Sequence, residues 1–214
     1  FDINNFKKFK KKINYIVVED LPKVVKKFKK NWHSAHFRDQ YQRNTLSRGI
    51  SKYQDNDLIM ISDLDEIPNP SKLSNFNNKD KYACFVQKNF SLKLNLFNKS
   101  EPNWYGTRIC RKKDLRSPQW LRDIKARKRP FYKFFKPKFD KLIYEGGWHF
   151  SSVKNPEGIY KKLDSYAEQQ WNNEKFKDLE IIKNKIAKKM DLFDRNHNFE
   201  VIKIDVSFPE YIHR

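Results

Sequence analysis

The stretch Asp57–Pro70, Asp-Leu-Ile-Met-Ile-Ser-Asp-Leu-Asp-Glu-Ile-Pro-Asn-Pro, constrains the fold of this chain more tightly than any other. Leu58–Ile61 is a continuous apolar run of strand length, expected to be covered on both faces. Three acids follow Ser62 in quick succession: Asp63, Asp65 and Glu66. Pro68 and Pro70 then deny the ladder its next donors. A strand built this way delivers carboxylates to its C-terminal end, where open α/β sheets bind ligands. Carboxylates so close repel one another, and a divalent cation relieves that repulsion. Hard cations such as Mg²⁺ and Mn²⁺ take oxygen ligands and commonly bridge to phosphates. The stretch therefore reads either as an Asp-x-Asp metal site facing a phosphorylated ligand or as an acidic turn after a strand.

The 214 residues suffice for one domain with its own core. Phe1–Lys12 reads as a basic helix and Ile13–Val18 as a strand. Pro22 opens a short helix with Val24, Val25 and Phe28 on its apolar face. Trp32–Phe37 is a loop carrying His33 and His36. Phe37–Arg48 reads as a helix stopped by Gly49, with Asn44 and Arg48 on the face of Phe37 and Tyr41. Tyr82–Val86, Phe90–Phe97 and Trp104–Cys110 read as strands, the second with one wet face. Asn155-Pro156 starts a helix that Ile159, Leu163 and Tyr166 would bury. Phe176, Leu179, Ile182, Ile186 and Met190 repeat at helical spacing, and Val201–Val206 reads as a final strand. The expected architecture is α/β, a mixed sheet flanked by helices in one domain over residues 1–214, with a helical C-terminal part at 155–190.

Lys and Arg number 46 against 26 Asp and Glu, a net charge of +20. Such a charge attracts polyanions: nucleic acid, an anionic membrane surface or phosphorylated small molecules. The most basic part, Arg108–Lys141, is interleaved with Trp120, Phe131, Tyr132, Phe134, Phe135 and Phe139. It reads as a loop or lid, near 111–141, beside an anionic substrate; no nucleic-acid-binding module accompanies it. Cys84 and Cys110 lie in apolar surroundings and are expected as buried thiols. No apolar run reaches membrane-spanning length.

Tyr144–Ser152 is the second informative stretch, because Gly146 and Gly147 permit close backbone approach directly before Trp148 and His149. In chain order, Gln42-Arg43-Asn44, Ser62-Asp-Leu-Asp-Glu-Ile-Pro68, Trp104-Tyr-Gly-Thr-Arg108 and Gly146-Gly-Trp-His-Phe-Ser151 resemble glycosyltransferase family 17. That is the family of the β-1,4-mannosyl-glycoprotein 4-β-N-acetylglucosaminyltransferase. The resemblance implies a GT-A-like (Rossmann-like) fold, here without the first strand and helix with which members usually begin. It also implies an inverting mechanism, a UDP-sugar donor carrying N-acetylglucosamine, and a glycan or glycoconjugate acceptor. By position, Asp63 and Asp65 are the Asp-x-Asp pair. Asp65 would coordinate Mn²⁺ or Mg²⁺, and Asp63 the ribose or, through water, the metal. His149 would be the later ligand, and Arg43 and Asn44 would lie near the nucleotide. Ser165–Gln170 departs from the His and Glu that members often carry there.

Inverting transfer needs a carboxylate to take the acceptor proton, and Glu66, Asp123 and Glu145 are the candidates. Arg43 or Arg108 would add positive charge at the leaving group. Trp104, Trp120 and Trp148 could stack sugar faces, Trp148 being also an expected donor contact. Three rival readings are a catalytically silent polyanion-binding module, a degenerate transferase subunit, and a metal-dependent phosphoryl-transfer or nuclease enzyme, against which the single acidic cluster argues. The expected compartment is the cytoplasm or the cytoplasmic side of a membrane, or the Golgi lumen in a eukaryote.

Overall fold

A computed structural model describes residues 2–22, 34–126, 136–165 and 171–213. Among these residues eight strands form one mixed sheet: β1 (Leu58–Ile61), β2 (Glu66–Pro68), β3 (Tyr82–Ser91), β4 (Leu96–Asn98), β5 (Asn103–Arg111), β6 (Lys141–Ile143), β7 (Gly147–Ser151) and β8 (Phe199–Val201). The flanking helices are α1 (Ser34–Thr45), α2 (Ser47–Ile50), α3 (Pro118–Asp123), α4 (Pro156–Ser165) and α5 (Leu179–Ala187). None is long and apolar enough to cross a membrane.

β3 is the axis, buried at every position but Lys88 and Ser91. On one edge it pairs antiparallel with β5, which carries β1 antiparallel on its far side. On the other edge it runs parallel to β6 and then to β7, and β2 closes antiparallel on β7. The hairpin partner β4 meets β3 at Phe90↔Phe97 and takes β8 beyond it. β3 thus presents apolar side chains to both layers. Phe85 and Ile109 pack with Ala83 and Ile143, while Phe90 packs with Trp148, Phe150 and Phe208. Leu92 and Leu96 receive Ile159 and Leu163 of α4 and Ile182 of α5.

α3 has six residues, too few to be stable alone. Ser117 caps it, its hydroxyl accepting from the Trp120 backbone N–H. Leu121 and Ile124, 0% and 1% exposed, dock it on Ile59, Ile61 and Cys110. Each such side chain is worth about 1.5–3 kcal/mol. Both cysteines are buried free thiols, as expected. Burial pushes Cys84 up to about 11 and Cys110 to about 12.

Several expectations are corrected. β1 has apolar cover on both faces, from Ile59 and Ile61 on one and Met60 on the other. Its first residue, Leu58, is exposed, and the strand pairs antiparallel with β5. Ile13–Val18 forms no strand. Its Ile16 instead leans on Gly49, where a Cβ would come within 3.0 Å of Ile16 Cδ1. Gly49 therefore makes room inside α2 rather than stopping a helix. Phe90–Phe97 is not one strand, because β3 runs through to Ser91 and the chain then turns at Leu92 with φ +67°. The last strand is Phe199–Val201; Ile202 adds one backbone bond to the Asn95 carbonyl, and residues 203–206 form no strand. Phe176 and Met190 lie outside α5. Of the stretch 111–141, residues 111–126 carry the end of β5, a 3₁₀ turn at Lys112–Asp114 and α3, and Lys141 opens β6. Val24, Val25, Phe28, Trp32, His33, Phe131, Tyr132, Phe134, Phe135 and Tyr166 lie outside the described residues.

Candidate active site

The acidic turn begins where β1 ends. Ser62 Oγ lies 2.7 Å from Thr107 Oγ1 on β5. The turn closes on itself: Glu66 N donates to Asp63 O at 3.0 Å, and Asp63 N donates to Glu66 Oε2 at 3.1 Å. Leu64 stands fully exposed at its tip. Glu66 then enters β2 opposite His149, and its carboxylate is shut off from water, with 0% of the side chain exposed. Trp104 Nε1 donates to it at 2.8 Å, and Arg122 donates through Nη1 at 2.8 Å and Nη2 at 2.9 Å. Burial works against the Arg122 charge, but Glu66 and then Asp63 outweigh it and raise its pKa above the ordinary arginine value. Glu66, expected as a possible base, is thus enclosed as the counter-ion of Arg122.

Arg122 Nη2 also donates to Asp63 Oδ2 at 2.7 Å, while Arg43 Nη2 takes Asp63 Oδ1 at 3.1 Å. Two guanidiniums therefore straddle one carboxylate. Gln119, one turn before Arg122 on α3, connects the neighbours. Its Oε1 accepts from Arg43 at 2.5 Å, its backbone N–H donates to Asn44 Oδ1 at 3.0 Å, and its Nε2 donates to Asp123 at 2.9 Å. Asp123 is exposed.

Asp65 points elsewhere. Its Oδ2 lies 3.7 Å from His149 Nε2, within ion-pair range but too long for a hydrogen bond. Burial opposes the Asp65 charge, yet His149 and Lys162 outweigh it and hold its pKa below the usual carboxylate value. Lys162 of α4 is lowered in turn by its own burial, Asp65 offsetting part of this. The His149 ring lies flat on Trp104, centroids 4.1 Å apart and planes 9° from parallel, and its Nδ1 is 2.9 Å from Asn89 Oδ1. Among the described residues no three of His, Cys, Asp and Glu gather into a metal-binding group. Asp65 and His149 are two donors of suitable type, and a divalent cation that also holds substrate phosphates and water needs few protein ligands. The donor types of this pair suit such an ion, while the Asp63 carboxylate is paired with Arg43 and Arg122.

Residues 2–203 match the model of glycosyltransferase family 17. The chain belongs to that family. It is a glycosyltransferase, acting on a sugar donor and a glycan acceptor. No curated protein and no solved structure matches it.

The remaining expected residues of this family 17 enzyme are dispersed. Arg108 is buried on β5, donating through Nη1 to the Gly106 carbonyl. Burial, with Arg122 nearby, pushes it down to about 10. Trp148 faces the opposite side of β7 from His149, 7% exposed among Phe90, Phe150 and Phe208, with Nε1 donating to Ser207 O. Glu145 is exposed in a turn with φ +51° and paired with Lys72 at 2.7 Å. It borders a cleft of about 920 Å³ lined by Ile67, Trp148 and the 206–211 segment, to which Asp63, Asp65 and His149 do not contribute. Trp120 packs edge-on against Tyr82. The residues missed from sequence were Arg122, Gln119, Asn89 and Lys162. For the first two a signal existed: Ser117-Pro118 is an N-cap followed by N1 proline, which puts Gln119 and Arg122 on one helical face. For Asn89 and Lys162 there was none.

Proposed function

We propose that this family 17 enzyme is a GT-A-like, divalent-metal-dependent, inverting transferase that moves N-acetylglucosamine from UDP-N-acetylglucosamine to a glycan hydroxyl. The observation that carries the reading is the approach of Asp65 and His149, remote in sequence, to 3.7 Å at the end of the β2–β7 ladder. Those two residues would hold the cation, which when bound neutralises charge on the departing diphosphate. Arg43 and Arg122 both pair with Asp63 and add fixed positive charge beside the turn. In inverting transfer the bond from the anomeric carbon to UDP breaks as the bond to the acceptor oxygen forms, and the acceptor proton passes to a carboxylate. Of the three candidates, we assign this role to Asp123. It is exposed and tied through Gln119 to Arg43, whereas Glu66 is enclosed and Glu145 lines the separate cleft.

Thermal denaturation with nucleotide sugars tests this. At about 100 Kd of UDP-N-acetylglucosamine with Mn²⁺, mass action adds about 2.7 kcal/mol, roughly 5–10 °C for a chain of this length. EDTA should abolish the shift. Asp65→Ala should fold normally and lose both shift and transfer. Asp123→Asn should keep the shift and lose about 10²–10⁴-fold in rate. Normal transfer kinetics in Asp65→Ala would overturn the metal assignment.

A further inference from the structure

We infer that Asn89 is a positioning residue that fixes His149 as the Nδ1–H tautomer and so turns a bare Nε2 lone pair toward Asp65. The orientation of the Asn89 amide follows from its other contact. Its Nδ2 lies 2.9 Å from the Glu101 backbone carbonyl, which can only accept. The amide NH₂ must therefore face Glu101, and the amide oxygen must face His149, where Oδ1 and Nδ1 are 2.9 Å apart. An amide oxygen only accepts, so the neutral imidazole carries its proton on Nδ1. Both groups are buried, Asn89 at 5% and His149 at 6% exposure, so water does not compete for the contact. The Trp104 indole, stacked on the ring and anchored by its own N–H on Glu66, fixes the ring plane.

The consequence is a mismatch. With Nε2 unprotonated, a lone pair and a carboxylate oxygen confront each other at 3.7 Å with no hydrogen between them. Two acceptors in that arrangement call for a shared cation. The opposite tautomer would let Nε2–H donate to Asp65 and close the gap. Asn89 thus keeps the pair open. The shared cation rests on the metal-dependent reading proposed above; the tautomer does not.

Imidazole ¹⁵N NMR on the metal-free full chain at about pH 8.5, above the ordinary imidazole range, reads the tautomer directly, with His149→Gln supplying the assignment. The expected result is a protonated Nδ1 and a bare Nε2. Asn89→Asp keeps an acceptor and should retain that pattern. Asn89→Leu should move the proton to Nε2 and weaken Mn²⁺ binding, followed by paramagnetic resonance of free Mn²⁺ and corrected with Asp65→Ala, by about 10–100-fold. A proton on Nε2 in the unaltered protein overturns the inference, and this holds even if Asn89→Leu does not fold. Unchanged tautomer and Mn²⁺ affinity in a folded Asn89→Leu overturns it as well. A protonated Nδ1 without Mn²⁺ binding supports the positioning role and overturns the metal reading.

Discussion

Arg122 pairs with two acids through one guanidinium, and one of them, Glu66, has no access to water. Removing the cation alone strands a buried carboxylate, which costs far more than losing an exposed ion pair. Arg122→Met should therefore destabilise the chain by about 3–5 kcal/mol in denaturant titration. The double variant Arg122→Met/Glu66→Leu should recover much of that, because a buried pair exchanged for apolar groups is often neutral. A loss below about 1 kcal/mol in the single variant, the size of an exposed pair, would contradict the burial. Sequence reading ranked Glu66 beside Asp63 and Asp65 because all three follow the same strand. Their roles separate only in three dimensions, where Glu66 meets Trp104 and Arg122, Asp63 meets two arginines, and Asp65 meets His149.

The β2–β7 ladder is the element that assembles the site, since it sets Glu66 opposite His149. It depends on Gly147, whose φ is +133° and where an added Cβ would sit 2.0 Å from the Ile67 carbonyl oxygen. The obstructing atom is backbone and cannot rotate away. Gly147→Ala should cost about 3 kcal/mol or more, combining backbone strain with overpacking, and should abolish stabilisation by nucleotide sugar; an unchanged melting temperature would show that the strands are not so close. The glycine pair was legible in sequence as a close approach, but its partner was not. α3 shows the reverse failure. Its cap and proline were readable, yet the basic residues around it suggested a loop. A six-residue helix exists here because Leu121 and Ile124 are buried by β1.

At the scale of the whole molecule, acid should unfold the chain through a few carboxylates. Asp191 is opposed by burial, but the fork from Arg195, at 2.9 Å from Nε and 2.6 Å from Nη2, outweighs it and lowers its pKa. Asp65 is lowered likewise by His149 and Lys162 against its burial. A carboxyl whose folded pKa is depressed contributes stability that is present above its unfolded value and lost as pH falls through the folded one. The melting temperature should thus hold from neutrality to about pH 5 and fall below about pH 4. Asp191→Asn should be less stable at neutral pH, by about 1.5–3 kcal/mol, and lose less on acidification; an identical acid limb in both proteins would remove Asp191 from the account. The net charge of +20 adds self-repulsion as these acids protonate. From its residues alone the chain determined the acid-ended strand, the Trp104–Cys110 strand, the Gly146-Gly147 approach, the two buried thiols and the family resemblance. Each is a local pattern, read from apolar spacing, backbone freedom or a short string. The tertiary structure alone decided which acid is buried, which is straddled by arginines and which faces a histidine. Those outcomes depend on charges and donors brought in from α1, α3, α4, β5 and β7, and electrostatic and hydrogen-bond energies follow distance in space rather than separation along the chain.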